Sequence, residues 1–212
     1  MRRTYGAIRI VAAIGIAIAV IAQLSFSLSF EPADVGFFLT NFFSFFTVLS
    51  NCLAVLTLLL GAWYCFTVRV DPPWFNLVHA SVATYMVTTG IVYNLLLRDI
   101  SLDQGTTLGW SNEILHLWGP LYVLLDWLFA SGRTTLPWRR LWIVAVFPIV
   151  WAIYTMIRGA ATGWYPYPFL DPSQQSGYRG VVFYVLLIAV VIVAVGAGFF
   201  ALSRVRKLQP PE

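Results

Sequence analysis

The most informative shortage in this chain is charge. Only 10% of its 212 residues are Asp, Glu, Lys or Arg, whereas a soluble domain carries roughly 25%. In contrast, 59% of the residues are hydrophobic, and the mean hydropathy is +0.79. This balance predicts a membrane protein with no room for a separate soluble domain. We therefore expect residues 1–212 to form a single integral membrane domain.

Histidine and cysteine are also scarce, which limits the available chemistry. The chain has two cysteines, Cys52 and Cys65, on one predicted helix, about 20 Å apart by helical rise and too far apart to form a disulfide. It has two histidines, His79 and His116. They are predicted at different depths, whereas a metal hydrolase needs several converging ligands. We expect no metal and no cofactor, and His79 is interpreted as an interfacial or packing residue.

Long apolar runs dominate what is present. Six of them are long enough, or nearly so, to cross a hydrocarbon core of about 30 Å. Lipid offers the backbone no hydrogen-bond partners, so each run is predicted to be a helix. The expected fold is all-α, a polytopic bundle of six transmembrane helices. The predicted spans are Ala7–Phe30, Phe37–Tyr64, Phe75–Leu97, Ser111–Ala130, Leu141–Ile157 and Val181–Leu202.

The basic residues are distributed unequally along this topology. If the N-terminus is cytoplasmic, only Arg98, Arg158 and Arg179 fall on the outer side. The remaining ten of the thirteen are Arg2, Arg3, Arg9, Arg69, Arg133, Arg139, Arg140, Arg204, Arg206 and Lys207. An excess of Lys and Arg marks cytoplasmic loops, so both termini are predicted to be cytoplasmic in a multi-pass cell-membrane protein. The same placement accounts for the basic pI without a nucleic-acid partner.

The second predicted span carries polar residues in the stretch NFFSFFTVLSN. At about 100° per residue, the side chains of Thr40, Ser44, Thr47 and Asn51 share an arc of about 60°, which Asn41 widens. A polar stripe on a membrane helix faces protein or a water-filled cavity rather than lipid. Alternatively, these small polar residues do not form a functional site and only hold neighbouring helices together.

The fourth predicted span carries a second polar stripe, in SNEILHLWGPLYVLLDWLF. Pro120 cannot donate a hydrogen bond to the carbonyl of His116, so we expect a kink or a bound water there. Ionisable residues within a membrane span usually have a function, which favours a functional role for His116. The alternative is that His116 only packs against a neighbouring helix. Asp126 is too far along the helix to orient His116, and it is expected near Arg133 or Arg139. The stripe consists of Asn112, His116, Gly119 and Asp126, with Tyr122 beside it.

A hydroxyl that faces an imidazole can act as a nucleophile with its general base. Away from water an imidazole stays neutral, which is the form that accepts a proton. Helix tilt of about 20° brings the depths of Thr47 and His116 closer together. We expect one cavity, open toward the outer leaflet and closed toward the cytoplasm. Its predicted lining is Ser44, Thr47, Asn51, Asn112 and His116, and the two asparagines are candidates to orient the pair or to bind an oxyanion.

The loop GWYPYPFLDP, residues 163–172, is rich in aromatics and prolines. One interpretation is a lid or rim over the outer ends of the second and fourth spans. The other is an aromatic girdle at the membrane interface.

Three blocks, FSFFTVLSN, NEILHLWGPLYVLLDW and YPYPFLDP, together resemble bacterial relatives of the androgen-induced and androgen-dependent membrane hydrolases of animals. Those multi-pass proteins cleave fatty acid esters of hydroxy fatty acids with an intramembrane threonine and a histidine, and without a metal. The resemblance implies a lipid ester hydrolase with Thr47 as nucleophile and His116 as base. The expected partners are the membrane and a fatty-acyl ester substrate. The other candidate site residues, taken from the two stripes, are Ser44, Asn51, Asn112, Thr40 and Tyr122.

The main alternative is a small transporter or channel, because polar stripes and a proline-broken helix also line permeation paths. A path has to continue through the membrane, whereas the second span is almost entirely apolar after Asn51. A purely structural or regulatory subunit is a third class that the sequence leaves open.

Overall fold

The computed structural model describes residues 2–102, 106–129, 132–174 and 177–205. Within these ranges the chain is helical and has no strand, so the all-α prediction is confirmed. Arg206, Lys207 and the predicted end of the fourth span, Ala130, lie outside the described residues. The α-helices are α1 (Arg2–Leu28), α2 (Val35–Phe42), α3 (Phe46–Thr67), α4 (Pro73–Val92), α5 (Arg98–Leu102), α6 (Gly109–Glu113), α7 (Gly119–Phe129), α8 (Val146–Thr162) and α9 (Gly177–Leu202).

Shorter helical turns join some of these helices. A π-helical turn, Tyr93–Leu97, connects α4 to α5, and another, Ile114–Trp118, connects α6 to α7. A 3₁₀ helix, Trp138–Ala145, leads directly into α8, and a 3₁₀ turn, Pro168–Leu170, lies in the loop before α9.

Among the described residues, five helical stretches are long and apolar enough to cross a membrane. They are Arg2–Leu28, Phe46–Thr67, Pro73–Ile100, Trp138–Thr162 and Gly177–Leu202. Their outer faces expose large apolar side chains, such as Val11, Leu56, Ile157 and Val190, and so much exposed apolar surface suits a lipid environment. The fourth predicted span is helical from Gly109 to Phe129 but is divided by its π-helical turn.

Contacts at one end of the bundle join the start of α1 to the end of α9. Arg2 forms an ion pair with Asp71 in the loop between α3 and α4. The backbone N–H of Asp71 donates to the carbonyl of Gly132, 2.9 Å away, and the neighbouring Arg133 donates to the carbonyl of Leu202 at 3.2 Å. The first turn of α1 and the last turn of α9 therefore lie at the same end of the bundle.

The periodicity of the second predicted span suggested one continuous helix, but the structure divides the span into α2 and α3. α2 stops at Phe42, and Phe45 is extended, with φ −66° and ψ 128°, before α3 begins. The Ser44 hydroxyl donates to the carbonyl of Thr40 at 2.6 Å, and the Trp151 indole donates to the carbonyl of Ser44 at 2.9 Å. These side chains satisfy the carbonyl of Thr40 in the last turn of α2 and the carbonyl of Ser44 in the break between the helices. Hydroxyl side chains compete with helix continuation in this way. As a result, Thr47 is the second residue of a helix, not the eleventh.

A buried ion pair corrects the expectation for Asp126. The partner that the structure gives its carboxylate is Arg9, whose Nε donates to Oδ1 at 2.9 Å, and both side chains are 1% exposed. His79 Nε2 lies 3.1 Å from the second carboxylate oxygen, off the direction of a hydrogen bond. Arg9 Nη1 also donates to the carbonyl of Gly61 at 3.0 Å. Arg9 therefore joins α1 to α3 and α7 rather than marking the surface.

Candidate active site

Thr47 and His116 are in contact. The hydroxyl oxygen of Thr47 lies 3.2 Å from His116 Nε2, although the two residues are 69 positions apart in the sequence. Thr47 is 8% exposed, and His116 is half-buried. Thr47 is presented by the first turn of α3, and His116 by the π-helical turn between α6 and α7.

The other ring nitrogen of His116 fixes the position of the proton. His116 Nδ1 lies 3.0 Å from the backbone carbonyl oxygen of Asn112. A carbonyl oxygen can only accept a hydrogen bond, so Nδ1 must carry the hydrogen. In the neutral ring Nε2 then has a free lone pair, directed at the Thr47 hydroxyl. This is the tautomer that a general base for Thr47 requires.

Tyr93 holds the imidazole from its face. The two rings are stacked, with centroids 3.8 Å apart and planes 25° from parallel. The side-chain amide of Asn112 donates to the Tyr93 hydroxyl. Asn112 therefore orients His116 twice, through its backbone carbonyl and through the stacked tyrosine.

The predicted kink near Pro120 takes the form of a π-helical turn. The N–H of Gly119 donates to the carbonyl of Ile114, five residues earlier. A Cβ on Gly119 would lie only 2.8 Å from that carbonyl oxygen, so glycine permits the close approach. Pro120 has no N–H, so the shifted register leaves carbonyls on this turn without helical donors.

Two asparagines from neighbouring helices satisfy these carbonyls. Asn51 Nδ2 donates to the carbonyl of Leu115 at 3.2 Å and to that of Thr47 at 2.8 Å. Asn94 Nδ2 donates to the carbonyl of His116 at 3.3 Å. Asn51 thus ties the backbone of Thr47 to the turn that carries His116. Its role in the structure is to position both residues.

The loop at residues 163–172 contributes a third group. The hydroxyl oxygen of Tyr167 lies 3.3 Å from Thr47 Oγ1 and 3.3 Å from the backbone nitrogen of Thr47. Its ring stacks on Phe169 and contacts Phe45 and Trp151. Burial raises the pKa of Tyr167, so the phenol keeps its proton and can donate a hydrogen bond.

A cavity of about 170 Å³ begins at Thr47 and extends between α4, α8 and α9. Tyr93 and Tyr167 also line it. Its sides include Ile149 of α8 and Val193 of α9, which are 56% and 45% exposed on the outer surface. The cavity therefore opens sideways between these two helices, toward the face that lipid would cover.

Five side chains were expected to line one cavity, and of these only Thr47 is among its lining residues in the part of the chain that the structure describes. Asn51, Asn112 and His116 lie behind it and are not part of the lining. The hydroxyl of Ser44 faces α8 instead, 2.9 Å from that of Tyr154.

Two other candidates lie away from the Thr47–His116 pair. Thr40 is exposed, and its hydroxyl donates within α2 to the carbonyl of Gly36 at 2.8 Å. Tyr122 packs in the core on the side of Asp126 and Arg9.

Three residues of this arrangement were missed by the sequence reasoning. They are Tyr93, Asn94 and Tyr167. The loop containing Tyr167 stood out for its composition, but nothing in the sequence indicated which of its aromatics reaches Thr47. Tyr93 and Asn94 lie at the end of the third span, outside both polar stripes.

No protein-family model matches the chain, and no curated protein or solved structure is significantly similar to it. Within the described residues, no three His, Cys, Asp or Glu side chains are grouped as a metal site would require. The function therefore has to be inferred from the geometry around Thr47.

Proposed function

We propose that this protein is an intramembrane lipid ester hydrolase, with Thr47 as the nucleophile and His116 as the general base. The observation that carries the proposal is the 3.2 Å contact between Thr47 Oγ1 and His116 Nε2. It is supported by the Asn112 carbonyl, which leaves the lone pair of the imidazole on the side of Thr47. A threonine hydroxyl is a weak nucleophile and needs such a base.

In the first half of the reaction, Thr47 Oγ1 attacks the ester carbonyl carbon as its proton moves to His116 Nε2. The tetrahedral intermediate then expels the alkoxide, which takes the proton from His116 and leaves as an alcohol. An acyl group remains on Thr47. In the second half, water attacks the acyl carbon, His116 takes its proton and returns it to Thr47, and the fatty acid is released.

Neighbouring groups can stabilise both charges that develop in the reaction, the positive charge on His116 and the negative charge on the substrate oxygen. The imidazolium would keep its Nδ1–H bond to the carbonyl of Asn112, the place that a carboxylate holds in a serine triad. The phenol of Tyr167 lies beside the attacking oxygen, and the N–H of Thr47, in the first turn of α3, donates to that phenol in the resting structure. Both N–H and O–H would turn to the substrate oxygen once it becomes negatively charged. Such donors stabilise an oxyanion.

The cavity supports a lipid substrate. Its lining is predominantly apolar and includes no charged residue among those described. Its lateral opening between α8 and α9 would admit a chain directly from the bilayer. A lipid that enters from the side brings its hydrocarbon chain to Thr47. An ester partway along that chain, as in a fatty acid ester of a hydroxy fatty acid, is therefore a suitable substrate. The resemblance of the three sequence blocks to membrane hydrolases points to the same class.

The proposed topology is six crossings in the cell membrane with both termini in the cytoplasm. Gly109 to Phe129 would be the fourth crossing, long enough at about 1.5 Å per residue for a hydrocarbon core of about 30 Å. The common end of α1 and α9 supports this orientation, as does the excess of basic residues predicted there, which persists without the buried Arg9.

The test is hydrolysis of a mid-chain ester lipid by purified protein in detergent. His116→Ala should lower kcat by about 10²–10⁴-fold, and Thr47→Ala should abolish formation of the acyl-enzyme. The double variant should be little worse than either single variant, because the two residues act as a unit. Thr47→Ser should retain activity. Thr40→Ala and Ser44→Ala are the matched controls, since neither hydroxyl contacts His116.

Mass spectrometry of the trapped enzyme should place an acyl group on the segment Asn41–Asn51. Full turnover by Thr47→Ala, or an adduct on another residue, would refute the assignment. A solute flux through proteoliposomes that requires Thr47, without hydrolysis, would favour the transporter.

A further inference from the structure

The ion pair between Arg98 and Glu113 joins two helical turns of the same uncommon kind. Arg98 Nη1 and Nη2 donate to the two carboxylate oxygens of Glu113, at 2.7 and 3.0 Å. Arg98 directly follows the π-helical turn Tyr93–Leu97, and Glu113 directly precedes the π-helical turn Ile114–Trp118. Such turns are rare and are frequent at functional sites. The ion pair therefore connects the turn that carries His116 to its neighbour.

Arg98 makes two further contacts within its own helix. Its Nε donates to Asn94 Oδ1 at 2.9 Å, and its guanidinium carbon lies 5.7 Å from the centroid of the Tyr93 ring. Tyr93 is the residue that stacks on His116, and Asn94 is the residue that donates to the backbone carbonyl of His116. Arg98 thus contacts both of the groups through which α4 and its π-helical turn hold the imidazole.

The geometry distinguishes this pair from an ordinary surface ion pair. The two side chains are 32% and 33% exposed, and isolated exposed pairs usually contribute little to stability. Here the pair is bidentate and the same guanidinium also bonds Asn94, so three hydrogen bonds define its position. Neither Arg98 nor Glu113 is among the described residues that line the cavity at Thr47. The pair is therefore placed to orient His116 rather than to contact a lipid.

We propose that Arg98 and Glu113 are positioning residues, whose ion pair holds the two π-helical turns together. The pair keeps Tyr93 stacked on His116 and so keeps Nε2 directed at the Thr47 hydroxyl. When the pair is broken, the turns separate and the imidazole can rotate away from the hydroxyl. The consequence for catalysis rests on the proposed function, whereas the effect on the ring stack does not require that any ester be hydrolysed.

The ring stack can be measured by NMR, because the chain has two histidines. In protein labelled with ¹³C-histidine, the Tyr93 ring, 3.8 Å from that of His116 between centroids, should shift the His116 Cε1–H signal upfield. Tyr93→Leu removes the ring and defines the unstacked position of this signal. Arg98→Gln and Glu113→Gln should each move the signal most of the way to that position. The signal of His79, in the first half of α4, is the internal reference and should not move.

A charge reversal and a matched control complete the NMR experiment. The double variant Arg98→Glu with Glu113→Arg should recover most of the upfield shift, because it restores an ion pair between the same positions. Arg158→Gln is the control, since Arg158 lies on α8 and donates to Asn41, and it should leave both histidine signals in place.

Salt provides a test that needs no variant, so it applies even if a substitution prevents folding. In about 1 M KCl the Debye length is only about 3 Å, and a partly exposed ion pair is weakened. The His116 signal of the wild type should then move in the same direction as in Arg98→Gln, and the His79 signal should not. A His116 signal that keeps its position in both Gln variants and at high salt would overturn the proposal.

Steady-state ester hydrolysis by the same samples separates this proposal from the proposed function. Arg98→Gln should lower kcat about tenfold and leave KM unchanged, since a 1 Å displacement of a catalytic group can cost about 10²-fold while the cavity is intact. A His116 signal that moves without any change in kcat would contradict the positioning role. If the signal responds but the wild type hydrolyses no ester, the ion pair still holds the stack and the proposed function fails. If hydrolysis requires Thr47 but neither the signal nor kcat responds, the function stands and the positioning role is wrong.

Discussion

Replacing Tyr167 with Phe removes one hydroxyl from the proposed oxyanion site and leaves the ring in place. The ring is held by Phe169, at 5.2 Å between centroids, by Phe45 at 5.7 Å and by Trp151 at 6.0 Å. Because none of these contacts involves the hydroxyl, the loop should keep its position in the variant.

The expected effect is larger on kcat than on stability. In the resting structure the Tyr167 hydroxyl lies 3.3 Å from Thr47 Oγ1 and accepts a hydrogen bond from the backbone N–H of Thr47, also at 3.3 Å. The variant leaves this buried N–H without an acceptor, which should cost about 1–3 kcal/mol of folding free energy. A donor to a developing oxyanion is worth more, and its loss typically lowers kcat by about 10²–10³-fold.

Steady-state hydrolysis of a mid-chain ester, with thermal unfolding in the same detergent, separates the two effects. Tyr165→Phe is the control, because the Tyr165 ring packs against Gly159 on α8 in the same loop region. A kcat within a few fold of wild type for Tyr167→Phe would refute the oxyanion role. A higher kcat would show that Tyr167 restrains Thr47 in the resting state.

Two further predictions concern the bundle. Arg9→Met should lower the free energy of unfolding by about 3–5 kcal/mol, because it leaves the buried carboxylate of Asp126 without its cation, and adding Asp126→Leu should recover most of the loss. Thermal or denaturant unfolding in detergent measures both, and an unchanged Arg9→Met would contradict the importance of the pair. Reporter fusions after Gln174 and Gln209 should report opposite sides of the membrane, and the same side for both would rule out six crossings.

The membrane setting and the all-helical fold could be read from the sequence because they follow from local properties. Apolar run length and the lack of charge fix where helices form in lipid, whatever their neighbours. The periodicity of the second and fourth spans also selected Thr47 and His116 as candidates, since residues on one helix face are spaced by the helix itself.

The same local rules failed wherever a distant group satisfied the backbone. The break between α2 and α3 lies where the indole of Trp151, more than a hundred residues away, donates a hydrogen bond to the carbonyl of Ser44. The π-helical turn beside Pro120 is stabilised by Asn51 and Asn94 from other helices. Periodicity treats each helix as isolated and ideal, so it placed Ser44 on the same stripe as Thr47.

Only the tertiary structure decided the partners of the buried polar groups. Arg9 and Asp126 form a pair across 117 residues, and Tyr167 reaches Thr47 across 120 residues. A sequence shows that a charge or hydroxyl within an apolar run needs a partner, because a polar group without one is unstable away from water. Which partner it finds depends on how the helices pack, and packing is a property of the whole chain.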